Sequence, residues 1–450
     1  MTIKSDRELF SEHLDLLQTR LWKSITQLGF DSLVITSGRK DYYFADDQSV
    51  PFERTPHFIQ WCPAQGEAHL LELKPGKKPK LIFLAADDFW HEPASVEGFW
   101  NEFFEIVVVK DVNHRFDAID QKGKIGFIGL DRQLPTSFEV NPEPLTKAMD
   151  WHRSYKTPWE VELLRRANRL AARGHKAAEA CFLSGGSEFD IHASYIYAVK
   201  QTDDELPYST IVGLNEHAGF LHYESKEHGS SGSVLLIDAG ARVEGYGSDI
   251  TRTYVGESGR KTRRGRAVSR EGLQCFAAIL KEMDLLQLRI CSEIKPGMAF
   301  AALHKQTCLW ITDLLEKMEL VSHVGTDEGI RLGISRAFLP HGLGHMLGVQ
   351  VHDVGGRQFN LSGAMFERSQ DFPSLRNYRT IEDGHVFTIE PGLYFIPMLL
   401  NEVRAKFPSV DFNWKLIDEL LPCGGIRIED NLFVSGGGVE NLTRPAFAGI

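Results

Sequence analysis

Four carboxylates interrupt apolar, strand-like runs in this chain, and they limit what it can fold into more than any other feature. Asp238 ends L-L-I-D, Asp249 begins D-I-T-R-T-Y, Glu390 lies in F-T-I-E-P-G and Glu429 in I-R-I-E-D. An ionised carboxylate buried without a partner is strongly unfavourable. One such residue could end a strand or lie at a sheet edge. Four of them, each beside turn-forming glycines, ask for a fold that gathers them around a shared cation.

The stretch 233–255, S-V-L-L-I-D-A-G-A-R-V-E-G-Y-G-S-D-I-T-R-T-Y-V, reads as a β-hairpin with turn chemistry at Glu244-Gly245. With the turn centred near Val243-Glu244, Asp238 and Asp249 face each other across the strands, about 4.5–5.5 Å apart at Cβ. The glycines lie slightly off that centre, which asks for a bulge or a wider turn. Carboxylates so placed repel unless positive charge lies between them. Two divalent ions balance four acids and leave a neighbouring imidazole neutral. Ions roughly 3.5–4 Å apart are the usual arrangement for activating a water in hydrolysis. Carboxylate oxygens with one imidazole favour Mn²⁺, then Co²⁺ or Zn²⁺, and the lack of thiolate ligands argues against a structural zinc site.

The imidazole comes from Phe338–Gly356, where His341, His345 and His352 lie among Gly342, Gly344, Gly348, Gly355 and Gly356. Each glycine costs about 1 kcal/mol relative to alanine inside a helix. A loop or kinked strand that brings imidazoles close to a ligand is therefore expected here.

Around these stretches the chain divides in two. An amphipathic helix at 7–28 precedes strands at 31–38, 69–73, 80–84, 105–109 and 124–129, a pattern expected of a small α/β domain. No Gly-rich phosphate loop follows any of these strands, which argues against a nucleotide site. Prolines and a charged turn mark a junction near 141–159, with Thr157 capping a helix that starts at Pro158 and has Glu160 in its first turn. Helices at 158–182, 188–200, 265–292 and 298–319 and strands at 207–215, 386–395 and 424–434 follow, with His222 in the strand-like G-F-L-H-Y-E. The expected domains are 1–155 and 156–450. The basic run 259–266 reads as a solvated loop, and the segments 44–52 and 87–93 as surface loops with anchoring aromatics.

Composition excludes some functions. A net charge of −11 disfavours general nucleic-acid binding. No apolar run approaches the roughly 18 residues of a membrane helix, and the N-terminus lacks an apolar signal core. The 6 cysteines are dispersed, a reduced pattern that points to the cytoplasm, and the charge and the lack of a long apolar run lead us to expect no nucleic-acid or membrane partner.

The order D-A-G (238–240), D-I-T-R-T (249–253), H-G-L-G-H (341–345), I-E-P-G (389–392) and R-I-E-D (427–430) resembles the pita-bread metallopeptidases, which include Xaa-Pro dipeptidase, aminopeptidase P and methionine aminopeptidase. V-H-D-V-G-G (351–356) and L-H-Y (221–223) are similar to the prolidase branch. D-F-W-H (88–91) and C-G-G-I-R-I-E-D-N (423–431) are similar to the bacterial Xaa-Pro dipeptidases, some of which also hydrolyse organophosphorus triesters and fluorides.

The resemblance implies an α/β N-terminal domain and an α+β pita-bread (creatinase/aminopeptidase-like) C-terminal domain that binds two divalent metal ions. Asp238 would bind one metal, Asp249 and Glu429 would bridge both, and His345 and Glu390 would complete the second. Glu390 would relay protons, His352 would stabilise the oxyanion, and His341 would stand with them in the catalytic group. Arg427 and His341 would fix the ligands from behind. His222 and Arg376 would hold the C-terminal carboxylate of a dipeptide, with Tyr208 and Arg427 also on the substrate side. Asp47, in a turn shared with Asp46, would reach the partner's active-site mouth in a homodimer and meet the substrate's α-amino group. An aminopeptidase P-like enzyme and a non-catalytic pita-bread binding protein are the alternatives. Phe300 departs from the family pattern, in a wall expected to face the leaving group.

Overall fold

The structure, a computed structural model, describes residues 4–87, 89, 90, 92, 95–322 and 324–450, with only the backbone of Thr326 and Asp327. It divides into two compact units. One holds the residues up to Glu162 together with Gln358–Met365, and the other holds Leu163–Arg357 and Phe366–Ile450.

In the first unit, α1 (Asp6–Gln27) opens with a reciprocal capping box between Ser5 and Glu8. Phe10, Leu14, Leu17, Leu21 and Ile25 form its buried face, and Gly29 ends it at a φ of 72°. The strands are β1 (Ser32–Thr36), β2 (Leu70–Leu73), β3 (Lys80–Leu84), β4 (Glu105–Val109), β5 (Ile125–Ile128) and β6 (Phe138–Val140), in the order β4-β3-β2-β1-β5-β6. β1 runs parallel to β5 and antiparallel to β2, and it is buried along its whole length. That central position explains its uninterrupted apolar sequence. The short strand β6 was not expected. α2 (Pro56–Trp61) and α3 (Glu143–Arg153) also belong to this unit, and α3 occupies part of the stretch 141–159 expected as a junction.

α4 (Pro158–Leu183) begins where the proline predicts. The Glu160 amide donates to Thr157 Oγ1 at 3.3 Å and the Thr157 amide donates to the Glu160 carboxylate at 2.8 Å. These bonds satisfy two of the amides that a helix start leaves without partners.

In the second unit, α5 (Glu188–Val199) leads into β7 (Ile211–Leu214), β8 (Val234–Asp238), β9 (Arg242–Val243), β10 (Tyr246–Gly247) and β11 (Thr251–Val255). β8 is the middle strand of β11-β8-β7. α6 (Arg270–Glu293) and α7 (Phe300–Lys317) cover a core that includes Phe276, Met283, Ile311 and Phe387. Phe300 belongs to this core. It is fully buried and packs edge-on against Phe387 at 5.4 Å, so it does not form the pocket wall expected of it. The remaining strands are β12 (Val321–Ser322), β13 (Val386–Ile389), β14 (Gly392–Tyr394), β15 (Asp411–Phe412), β16 (Gly425–Arg427), β17 (Asp430–Ser435) and β18 (Gly438–Asn441).

The hairpin register differs from the expected one. Glu244 and Gly245 both take positive φ, 49° and 90°, and form the two-residue turn themselves. Val243 then pairs with Tyr246, and Asp238 pairs with Thr251 rather than Asp249. The glycine was the better guide to the turn's centre, because left-handed backbone is what such a turn requires.

The basic run 259–266 is a mostly exposed loop, as expected. In 87–93, Phe89 and Trp90 are 86% and 77% exposed, with their ring centroids 4.7 Å apart. Asp88, His91 and Pro93 lie outside the described residues.

Candidate metal centre

The two glutamates of the candidate site occupy strand interruptions. β13 stops at Ile389 and β14 starts at Gly392, while β16 stops at Arg427 and β17 starts at Asp430. Ile389 pairs with Asp430 and Gly392 with Arg427 in one register, which sets Glu390 opposite Glu429. Their amides leave that ladder. The Glu390 N–H donates to Leu343 O at 2.9 Å and the Glu429 N–H to Thr251 O at 3.0 Å. One bond holds the histidine-bearing loop to Glu390, and the other holds the hairpin to Glu429.

The histidine stretch is neither helix nor continuous strand. Gly344 permits its approach to β13, since a Cβ there would lie 2.0 Å from Thr388 O. The Thr388 amide donates to His345 O at 2.9 Å, and the His345 amide donates to Thr388 Oγ1 at 3.1 Å. His345 Nδ1 lies 3.0 Å from Met346 O, which can only accept, so Nδ1 carries the proton and Nε2 faces the acids. Nε2 is 3.2 Å from Asp249 Oδ2 and 3.6 Å from Glu390 Oε1. Asp249, His345 and Glu429 each offer a ligand atom, all within 4.8 Å of one another, and all three residues are buried. Asp238 ends the central strand β8 and sits close enough to Asp249 for the Tyr208 hydroxyl to lie against both.

Arg427 supports this group from behind. Its Nη2 donates to Asp238 Oδ2 at 2.6 Å, and its Nε donates to Thr251 Oγ1 at 3.0 Å, which in turn donates to Glu429 Oε2 at 2.7 Å. Its Nη1 donates to the Tyr394 hydroxyl at 2.8 Å. His341 Nδ1 donates to Gly342 O at 2.8 Å, leaving Nε2 to accept from Tyr394 at 3.0 Å. Tyr208 donates to Asp238 Oδ1 at 2.7 Å. Tyr208 and Arg427, expected on the substrate side, therefore both bind the carboxylate of Asp238.

The charges conflict. Burial raises the carboxyl pKa of Asp238 to about 6, with Asp249 adding to the effect and Arg427 opposing it. Burial, reinforced by Asp249 and Asp238, raises Glu390 to about 7. Burial and the three neighbouring acids push Glu429 well above the carboxylate range. Burial would also raise Asp249, but its hydrogen bond to His345 holds it low. Burial would lower His345, but Asp249 and Glu390 hold it high. Burial and Arg427 drive His341 down to about 3, so it is a neutral acceptor. These acids cannot all be ionised beside one another with Arg427 as their cation, and protons take up the excess. Oxygen donors with one correctly tautomeric imidazole, crowded and short of positive charge, fit divalent cations.

His352 packs edge-on to His345, ring centroids 4.4 Å apart. Burial, then the charges of His345, Arg376 and His222, lower it to about 4. His222 and Arg376, remote in sequence, therefore both act electrostatically on one imidazole, and both are exposed. His222 lies on a turn, not in a strand as expected. β7 ends at Leu214, and Asn215 at a φ of 54° turns the chain into a short 3₁₀ segment, Asn215–Gly219.

Asp47 is in the first unit, exposed, at the tip of a ribbon closed by the Tyr42–Ser49 bridge. Asp46 Oδ1 accepts from the Gln48 amide at 3.1 Å, which is ordinary turn chemistry. Of the two aromatics in 44–52, Phe44 is exposed and Phe52 is half-buried, with its ring beside Gly38. The sequence reading did not single out Tyr394, Thr251 or Thr388. Thr251 follows Asp249 by two and Tyr394 follows Glu390 by four; those spacings are the available signals.

Comparison with known proteins agrees with this geometry. Residues 162–436 match "Metallopeptidase family M24" and residues 8–151 match "Xaa-Pro dipeptidase, N-terminal domain". A Xaa-Pro dipeptidase of Stenotrophomonas maltophilia is 39% identical over 446 residues, covering 98% of this chain and 97% of the relative. One from Aeromonas hydrophila is 40% identical over 457 residues, covering 99% and 100%. Among solved structures, Pseudomonas aeruginosa aminopeptidase PepP superposes with a TM-score of 0.71 at 22% identity, covering 98% of each chain. Escherichia coli aminopeptidase P with the inhibitor Pro-Leu also gives 0.71 at 22% identity, covering 99% of this chain and 96% of that one. The expected fold, an α/β N-terminal domain with a pita-bread C-terminal domain, is thus the observed one. The chain belongs to metallopeptidase family M24, and within that family to the bacterial Xaa-Pro dipeptidases.

Proposed function

We propose that this protein hydrolyses Xaa-Pro dipeptides with a free C-terminal proline, using two divalent ions per subunit, Mn²⁺ foremost. The observation that carries the reading is the gathering of Asp238, Asp249, His345, Glu390 and Glu429, with His345 Nε2 within 3.6 Å of two of the acids. Relatives of about this length, 38–40% identical, bear the name Xaa-Pro dipeptidase. Asp238 would hold one ion, Asp249 and Glu429 both, and His345 and Glu390 the second. The ions would supply Lewis acidity toward the scissile carbonyl and the attacking water.

The chain's own groups do the rest. Glu390, with Thr388 Oγ1 at 3.4 Å and His341 Nδ1 at 3.6 Å, carries the proton from water to the leaving imide nitrogen. His352 donates to the developing oxyanion, a contribution of roughly 10²–10³ in rate for one donor. Arg376 and His222 bind the substrate's terminal carboxylate, for which the guanidinium fork is suited. None of these contacts needs the N–H that an imide bond to proline lacks. Residues 1–155 would serve dimerisation, with Asp47 reaching the partner's site to meet the α-amino group, and 156–450 would be the catalytic domain. Six free cysteines suit a cytoplasmic location.

The test is an assay of the metal-loaded protein on Ala-Pro, Leu-Pro and a Xaa-Pro-containing tripeptide. Rapid cleavage of both dipeptides and little of the tripeptide is expected. Preference for the tripeptide would instead indicate aminopeptidase P-like chemistry, and inertness on all three a binding protein. A phosphotriester mimics the tetrahedral intermediate of amide hydrolysis. Slow, Mn²⁺-dependent fluoride release from a fluorophosphonate is therefore also expected.

A further inference from the structure

The segment that carries His222 is fastened on both sides. Upstream, Asn215 Oδ1 accepts from the amides of Ser233 at 2.7 Å and Val234 at 3.0 Å. The same turn lies against Gly424, where a Cβ would stand 2.3 Å from Asn215 O. Gly424 directly precedes β16, the strand that delivers Arg427.

The second fastening is Glu188, the first residue of α5, which is fully buried. Its Oε1 accepts from the Leu214 amide at 2.9 Å and from His217 Nδ1 at 2.7 Å. Its Oε2 accepts from the Tyr223 hydroxyl at 2.8 Å and from the Glu227 amide at 2.8 Å. Two donors per oxygen fill a carboxylate's acceptor capacity. These donors come from before, within and after the turn, and Tyr223 is the residue next to His222. Ring contacts close the same segment. His217 stacks on Tyr223 at 4.5 Å and Phe189 on His228 at 4.5 Å. None of these four donors is a candidate metal ligand, so the Glu188 carboxylate belongs to a separate cluster.

We infer that Glu188 is a positioning residue for substrate recognition: by binding Leu214, His217, Tyr223 and Glu227 at once, it sets the exposed His222 where it meets the substrate's C-terminal carboxylate. This rests on reading His222 as one arm of the carboxylate clamp. A residue with a merely structural role would lower all activities together. A positioning residue alters recognition of the carboxylate and leaves the chemistry in place.

The experiment compares Glu188→Gln, Tyr223→Phe and His222→Ala, all metal-loaded, on Leu-Pro and on Leu-Pro amide. Glutamine turns half of the acceptor set into a donor that faces two donors, while Tyr223→Phe removes one of the four bonds from a chain that folds normally. Losing a buried charge-assisted hydrogen bond corresponds to roughly tenfold or more in binding. The expected result is a KM for Leu-Pro raised about tenfold in Glu188→Gln and by less in Tyr223→Phe. In both, kcat, metal content and kcat/KM on the amide stay near wild type. If Glu188→Gln fails to fold, Tyr223→Phe alone decides. If His222→Ala raises the KM for Leu-Pro while Tyr223→Phe and any folded Glu188→Gln do not, the positioning role is overturned and the clamp stands. If His222→Ala leaves that KM unchanged, the clamp reading falls and takes this inference with it. A parallel loss on acid and amide, or loss of metal, overturns the positioning role in favour of a structural one.

Discussion

Glu429 and Asp430 are adjacent and almost fully buried, yet the fold treats them in opposite ways. Asp430 has two arginines, Arg252 at 2.7 Å and Arg444 at 2.7 Å, with Gln287 and Asn441 donating as well. Burial would raise its pKa, but the two guanidinium groups hold it below the ordinary range. Glu429 accepts from Thr251 and lies among three other acids, so it is driven far up. Glu429 sits in the interruption just before β17, Asp430 opens that strand, and the two side chains meet different partners. The difference separates a structural carboxylate, neutralised by the protein's own cations, from one whose charge awaits an external cation. The same distinction sets Glu188, with all four acceptor positions filled, apart from Glu390.

The contrast is most exposed to failure at the ligand side. Asp249→Asn should remove both ions and lower turnover well beyond the ~10–100-fold that follows loss of a group merely supporting a metal ligand. The far-UV circular dichroism should stay unchanged. Elemental analysis finding two ions per chain in this variant would break the distinction.

The structural side predicts the converse. Asp430→Asn leaves Arg252 and Arg444 facing a neutral amide, and removing one member of a buried ion pair costs about 3–5 kcal/mol. Thermal unfolding should therefore fall markedly, and by the same amount with and without added Mn²⁺. Metal stoichiometry per folded chain should hold at two. A variant that kept its Tm and lost metal would mean that the roles of these neighbours are exchanged.

Smaller effects should come from charges that reach solvent. Arg376→Ala should lower kcat/KM on Leu-Pro by about tenfold, bringing it toward the value for Leu-Pro amide. Equal wild-type rates on acid and amide would remove the clamp. The mildest effect belongs to Asp47, which is exposed and remote in sequence from every donor. Asp47→Ala should raise KM for dipeptides a few-fold without changing metal content, in a protein that sediments as a dimer. A fully active monomer at assay concentration would show that this loop is not supplied by a partner.

Much of the site was legible in the chain because buried acids in apolar strands are rare. Strand context and a resemblance in motif order point to five candidate ligands; three of them, Asp249, His345 and Glu429, have potential ligand atoms within 4.8 Å of one another. The misreadings arose where local pattern and backbone geometry diverge. His222 sits in alternating G-F-L-H-Y-E, which imitates a strand, but the positive φ of Asn215 turns the chain before that pattern begins. Glu244-Gly245 were recognised as turn residues, yet the hairpin was centred one residue early, which shifted Asp249 from a diagonal position to one facing Asp238.

Sequence by itself determined which residue types are available, where helices start and which strands carry misplaced charge, because caps, prolines and apolar periodicity act over a few neighbouring residues. Only the tertiary structure decided that Glu390 stands opposite Glu429, that Arg427 supports Asp238 directly and Glu429 through Thr251, and that Glu188 binds the segment beside His222. Those relations depend on strand register and on amides that leave one ladder to join another. Both are settled by packing between segments distant in the chain, or, for Glu188, between a helix start and the loop folded over it.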